Sequence, residues 1–353
     1  MSITKRKFSL LILLMAIIMI FSAGCFEHAP NNDDNSDNPG INQPVDDNQG
    51  DNNPSENNNN NNTKNVINIV GFGDSISAGY AVEGSDMYSA YVDYTSGTTT
   101  VSSKCYTKLI ANSLDDTYET INVKNYAESG DKTSDLISKL NDSETYPLLQ
   151  TDVQNADIIT LCIGANDILG IALNNMADYI KGNKTLDEIN NMLDESVANF
   201  KTNYTNTIIP YLTQGNGKVY VMTIYDPYKY FDTNEIIVTG ENAFKRAMIT
   251  YALSQFEELK ETAINHLSEI NEYIRNNSPL SVVIVDVNQS LESLDKTTYR
   301  TYINADSSKI SIDADTVSME DASALQNDPN FDPHPTSQGQ QFIANLFLAK
   351  VNE

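Results

Sequence analysis

Ser75 follows the apolar run Val66-Ile67-Asn68-Ile69-Val70, which reads as a buried strand. The C-terminal end of such a strand is where open α/β sheets present reactive groups. Gly73 and Gly79 flank the serine, so the backbone can turn sharply around its hydroxyl. Acyl transfer by a serine needs a base to take its proton and donors aimed at the developing oxyanion. The chain has three histidines. His28 lies in a polar tract, and His266 lies in the charged helical segment Glu257 to Ile274, where a surface histidine is expected. His334 remains, held between Pro333 and Pro335, whose fixed φ stiffens the loop.

Three blocks in order, Gly73-Asp74-Ser75-Ile76-Ser77, Gly164-Ala165-Asn166-Asp167 and Asp332-Pro333-His334-Pro335, resemble those of the SGNH hydrolases, also called GDSL-type esterases and lipases. The resemblance implies that Ser75, rather than Ser77, is the nucleophile and that His334 accepts its proton. It implies an oxyanion hole made of the Ser75 backbone N–H, the Gly130 backbone N–H and the side-chain amide of Asn166, which donates without carrying a charge. It implies no metal and no organic cofactor. The block around Ser75 is not the Gly-x-Ser-x-Gly elbow of α/β-hydrolases, and it falls at the first strand.

The orienting acid departs from the family pattern. The usual aspartate sits three residues before the histidine, where this chain has Phe331. Asp332, two before, and Asp328, six before, are both candidates, with Asp332 the closer; a backbone carbonyl could also hold the imidazole. Asp74 and Asp167 are expected to fix loops by accepting backbone N–H groups. The principal reading is a lipase- or esterase-type serine hydrolase working through an acyl-enzyme. One alternative is a carbohydrate or cell-wall O-acetyl esterase of the same mechanism. Another is a non-catalytic surface lipoprotein that keeps the fold, which only Phe331 favours. The aromatic segment Tyr225 to Phe231 is expected at the site rim, to stack on sugar rings or line an acyl pocket.

These residues need a frame. Short β-branched runs recur at Val66 to Val70, Thr120 to Val123, Ile158 to Ile163, Val219 to Thr223 and Val282 to Val285. Longer segments of helical spacing separate them, among them Ser103 to Leu114, Leu186 to Leu212, Asn242 to Ile274 and Ser337 to Val351. Such alternation predicts an α/β fold with a mainly parallel sheet and helices on both faces. The family resemblance makes it a flavodoxin-like three-layer α/β/α sandwich with five strands. Residues 64–353 form one domain without internal repeats. The stretches Ala172 to Tyr211 and Asn242 to Asn276 exceed what five strands require, and read equally as a cap or as long crossover helices.

The N-terminus bears on location. Lys5, Arg6 and Lys7 precede the apolar segment Phe8 to Phe21, and Ser22-Ala23-Gly24 precedes Cys25. This reads as a secretory signal over residues 1–24. The apolar segment is shorter than the roughly 20 residues of a transmembrane helix. Cys25 after Ala-Gly resembles a bacterial lipobox, whose cysteine carries the lipid of a membrane-anchored, extracytoplasmic protein. Residues 25–63, rich in Asn and Asp, read as a disordered spacer. A net charge of −26 argues against nucleic-acid partners. Cys162 sits in an apolar run and reads as core rather than nucleophile, and the chain offers no metal-ligand spacing. The expected assembly is a monomer.

Overall fold

Five of the apolar runs become strands of a single parallel sheet. In the computed structural model these are β1 (Val66–Gly73), β2 (Thr120–Asn125), β3 (Ile158–Cys162), β4 (Lys218–Met222) and β5 (Val282–Val285), in the order β2-β1-β3-β4-β5. The structure describes residues 66–80, 91–92, 99–100, 102–316 and 330–353. The expected leader, Cys25, the spacer with His28, and Asp328 lie outside the described residues. β3 is buried along its whole length. Strands covered on both faces read as continuous apolar runs, which is why the run was visible in the sequence.

The helices follow in chain order. They are α1 (Ser75–Ala78), α2 (Tyr106–Ser113), α3 (Thr133–Asn141), α4 (Leu149–Asn155), α5 (Ala165–Lys181) and α6 (Leu186–Asn203). After them come α7 (Ile209–Leu212), α8 (Ala243–Asn277), α9 (Val287–Glu292), α10 (Lys296–Tyr302) and α11 (Ser337–Val351). Crossovers between parallel strands are right-handed. The connection from β1 to β2 therefore lies on one face, and those that travel the other way, from β2 onward, lie on the opposite face. Packing agrees with this: α11 rests on α2, with Tyr106 and Phe347 stacked at 5.0 Å, while α5, α6 and α8 pack on one another. The direction of travel reverses beside β1, and that crevice is where such sheets bind ligands.

The two over-long segments are long crossover helices: α5 and α6 join β3 to β4, and α8 joins β4 to β5. Asn271, near the C-terminal end of α8, clasps the backbone of Ile224 with both amide atoms at 2.7 Å, just past β4. α8 also packs against α5, α6 and a small parallel pair, Ile237–Thr239 with Ser311–Asp313. Placing His266 at the surface is incorrect. It is buried between helices, its Nδ1 2.8 Å from the Thr262 carbonyl and its Nε2 3.2 Å from Asp194. A long helix flanked by α5 and α6 buries more than one stripe, so its charged sequence misleads. Leu186 to Leu212 is also not one regular helix: a π-helical turn, Tyr204–Ile208, interrupts it ahead of Pro210.

Candidate active site

Three neighbouring strands end at the same edge, and each delivers part of the site. Ser75 leaves β1 at the start of α1, where Asp74 caps the helix by accepting the Ile76 N–H at 3.0 Å. Gly73 has φ +140°, and a Cβ there would lie 2.0 Å from the Cys162 carbonyl, so β1 and β3 are as close as glycine allows. The Asp74 N–H donates to that same carbonyl at 3.1 Å. Ser77 points the other way, its hydroxyl 2.7 Å from the Tyr106 hydroxyl in the core.

The imidazole arrives from the C-terminal segment. His334 Nε2 lies 2.8 Å from Ser75 Oγ, and His334 Nδ1 lies 2.5 Å from Asp332 Oδ1. Asp332 Oδ1 also accepts the His334 backbone N–H at 3.1 Å, and Oδ2 accepts from Asn304 at 2.9 Å. Burial works against the Asp332 carboxylate, but the hydrogen bonds and charge of His334 outweigh it and hold the pKa below the usual value. The loop is braced by Tyr225, whose hydroxyl donates to the Pro333 carbonyl at 2.9 Å, and by the Asn304 N–H on the His334 carbonyl at 3.1 Å. The Tyr80 ring meets the imidazole edge-on at 4.7 Å.

Phe331, at the position usual for the acid, points elsewhere. It joins Tyr228, Phe231 and Phe256 in an aromatic cluster with centroid separations of 5.4–5.7 Å. That cluster corrects the expectation of rim aromatics, because Tyr225, Tyr228 and Phe231 are all buried. Their faces are spent on the core and are not open to a sugar ring.

Gly130 and Asn166 are brought together from β2 and β3. The Glu128 N–H donates to the Gly73 carbonyl at 3.0 Å, tying the loop after β2 to the end of β1. Asn166 Nδ2 donates to the Asp131 carbonyl at 3.0 Å, which leaves its second N–H for another acceptor. Gly130 has φ +90°, and the space beyond it is open. Asp167 accepts from Thr133 through both backbone, at 3.0 Å, and hydroxyl, at 2.5 Å.

Several supporting residues carried no signal in the sequence. Gln340, fully buried on α11, donates to the Ile76 carbonyl at 3.0 Å and accepts the Tyr106 N–H at 2.9 Å, clamping the turn that carries Ser75. Asn304 is another. Both reach the site across long sequence separations, which local pattern cannot show.

Comparison with known families gives a match over most of the chain. The sequence model described as GDSL-like Lipase/Acylhydrolase matches residues 69–347. No curated protein matches the chain in sequence. Among solved structures, the lipase Lip_vut3 from a goat rumen metagenome is 15% identical, with a TM-score of 0.48, covering 80% of this chain and 96% of its own. An extracellular lipase from Streptomyces rimosus is 16% identical, with a TM-score of 0.41, covering 81% and 100%. Phospholipase A1 from Streptomyces albidoflavus is 15% identical, with a TM-score of 0.42, covering 81% and 99%.

Proposed function

The chain belongs to the GDSL-like lipase/acylhydrolase family, and on that premise we propose that it hydrolyses acyl esters through a covalent intermediate on Ser75. The observation that carries this reading is the unbroken relay Ser75 Oγ, His334, Asp332, at 2.8 and 2.5 Å. Ser75 Oγ attacks the acyl carbonyl while its proton passes to His334 Nε2. Asp332 holds the Nδ1–H and so fixes the ring and favours the imidazolium that forms. The oxyanion collects on the Ser75 and Gly130 backbone N–H groups and on the free N–H of Asn166. His334 then protonates the leaving alcohol. Water, deprotonated by the same nitrogen, releases the acid and restores Ser75.

The reading as a non-catalytic lipoprotein loses its one support, since Asp332 occupies the place that Phe331 leaves.

A fluorophosphonate probe tests the reaction. The wild-type chain should label stoichiometrically and Ser75→Ala not at all; equal labelling of the two removes the proposal. A series of p-nitrophenyl esters, set beside acetylated xylan, tests the substrate: preference for long acyl chains would favour a lipase, and release of acetate from sugars alone a deacetylase. We further propose that Cys25 is lipidated and holds residues 64–353 outside the cytoplasm. Cys25→Ser should release the protein from the membrane fraction and abolish incorporation of a palmitate analogue.

A further inference from the structure

Lys139 is a buried ammonium that the reaction scheme does not use. It sits on α3, only 6% exposed, behind the loop that follows β2. Its Nζ donates to the Tyr126 carbonyl at 2.9 Å and to Asp131 Oδ2 at 2.8 Å, with Glu128 Oε2 at 3.3 Å. These contacts grip the beginning, middle and end of the segment 126–131, which carries Gly130. The grip continues outward, because the Asp131 carbonyl is the acceptor that orients the Asn166 amide at 3.0 Å.

Ammonium groups are rarely buried, and burial alone would lower the pKa of this one; Asp131 and Glu128 outweigh that and raise it. Burial in turn pushes Asp131 up to about 6 even with the lysine beside it. Exchange of such a pair for apolar groups is often neutral or stabilising, so stability gives a buried pair little reason to be present. Its position gives a better one. A glycine at φ +90° with open space beside it has little of its own to fix its N–H, and the backbone to either side must be held instead.

We propose that Lys139 is the positioning residue of the oxyanion hole, aligning the Gly130 N–H through the residues on either side of it and the Asn166 amide through Asp131, whose carbonyl that amide meets. The inference rests on the reading of Gly130 and Asn166 as oxyanion donors. Lys139 touches neither substrate nor reacting atoms. It confines two donors to the narrow geometry in which a tetrahedral intermediate is better held than the ground-state ester.

The test uses the full chain, with active sites titrated by a fluorophosphonate so that kcat is counted per competent molecule. Lys139→Met takes the partner from the buried Asp131 carboxyl, so it is made alone and together with Asp131→Asn, which is neutral at every pH. Toward a p-nitrophenyl ester, kcat per titrated site should fall by about 10- to 100-fold in both variants, less than the roughly 10²- to 10³-fold of losing an oxyanion donor outright, because the donors are misplaced and not removed. KM should hold within about twofold, since uniform binding is untouched. A purely structural lysine would instead lower the thermal midpoint and the number of titratable sites, and leave kcat per site unchanged.

Recovery of kcat in the double variant would overturn the inference, because neutralising Asp131 would then be the whole role. A rise in KM at constant kcat would also overturn it. So would the absence of titratable sites in both variants, which would make Lys139 a requirement of the fold. Ser75→Ala runs in parallel: residual turnover there counts against the serine mechanism, whereas a dead Ser75→Ala beside a fully active double variant counts against Lys139 alone.

Discussion

Asp74, the residue before Ser75, should make this protein less stable as the pH rises from about 4 to about 7. Asp74 is fully buried; Oδ1 accepts the Ile76 N–H at 3.0 Å, and Oδ2 has no hydrogen-bond partner. Burial pushes its pKa from 3.8 up to about 7, with the charges of Asp131 and Asp167 adding to the rise and the Ile76 N–H opposing it. Between these two values the native state holds a proton that the unfolded chain has released. Stability from this group is therefore greatest below about pH 4 and declines until about pH 7. A rise of about 3 units at 1.36 kcal/mol each is a loss on the order of 4 kcal/mol. Asp74→Asn keeps the acceptor for Ile76 and cannot ionise, so its stability should lack this decline. Urea unfolding of both forms answers the question, followed by far-UV circular dichroism because the chain has no tryptophan. The two should be similar near pH 4, and the variant the more stable by on the order of 4 kcal/mol above pH 8. A difference constant across that range, or one that turns toward the wild type as pH rises, would refute the assignment of a neutral Asp74.

Gly73→Ala should abolish activity, because its Cβ would lie 2.0 Å from the Cys162 carbonyl; normal turnover by the variant would show that β1 and β3 can part without moving Ser75. Asp332→Asn should lower kcat by about 10⁴-fold, as loss of the orienting acid does in serine triads, with the thermal midpoint little changed. The lowered pKa of Asp332 means its stabilising contribution is present above the unfolded value of 3.8 and lost as pH falls through the lower folded value; the wild type should therefore lose more stability than Asp332→Asn under strongly acid conditions. Gln340→Met strands the Ile76 carbonyl and the Tyr106 N–H in the core, a cost of roughly 2–6 kcal/mol for two buried groups, read as a fall in the urea midpoint.

Much of the frame was legible because its physics is local. A parallel strand covered on both faces, such as β3, must be apolar along its length, and short apolar runs marked all five strands, β5 with both ends correct. Strand ends were less visible. β1 runs on through Gly71 to Gly73, and β2 ends on Asn125, whose side chain donates to the Ser77 carbonyl at 2.7 Å and accepts the Ala127 N–H at 3.1 Å. There the choice of residue serves the site rather than the strand. Ser75 and His334 could be found because glycines and prolines mark turns in the sequence itself. Lys139 could not, since a lysine on a short helix reads as a solvated residue until the loop that it grips is folded over it.

On the proposed relay the orienting acid moves from the usual position to Asp332, and this changes how the loop is built. With only Pro333 between acid and base, Asp332 Oδ1 reaches both the ring and the backbone N–H of His334, closing a turn on the residue it orients. Pro333 has no N–H to compete for the carboxylate and a fixed φ that holds the turn. Asn304 completes the unit, donating to Asp332 Oδ2 through its side chain and to the His334 carbonyl through its backbone. Acid and base are thereby one rigid piece, hung on α10 by the bridge between Ile303 and Pro335. A carboxylate three residues away would span a looser loop and need its own support. Phe331, at the position usual for the acid, packs instead with Tyr228, Phe231 and Phe256, so the proposed relay depends on Asp332 and on the turn that Asp332 closes on His334.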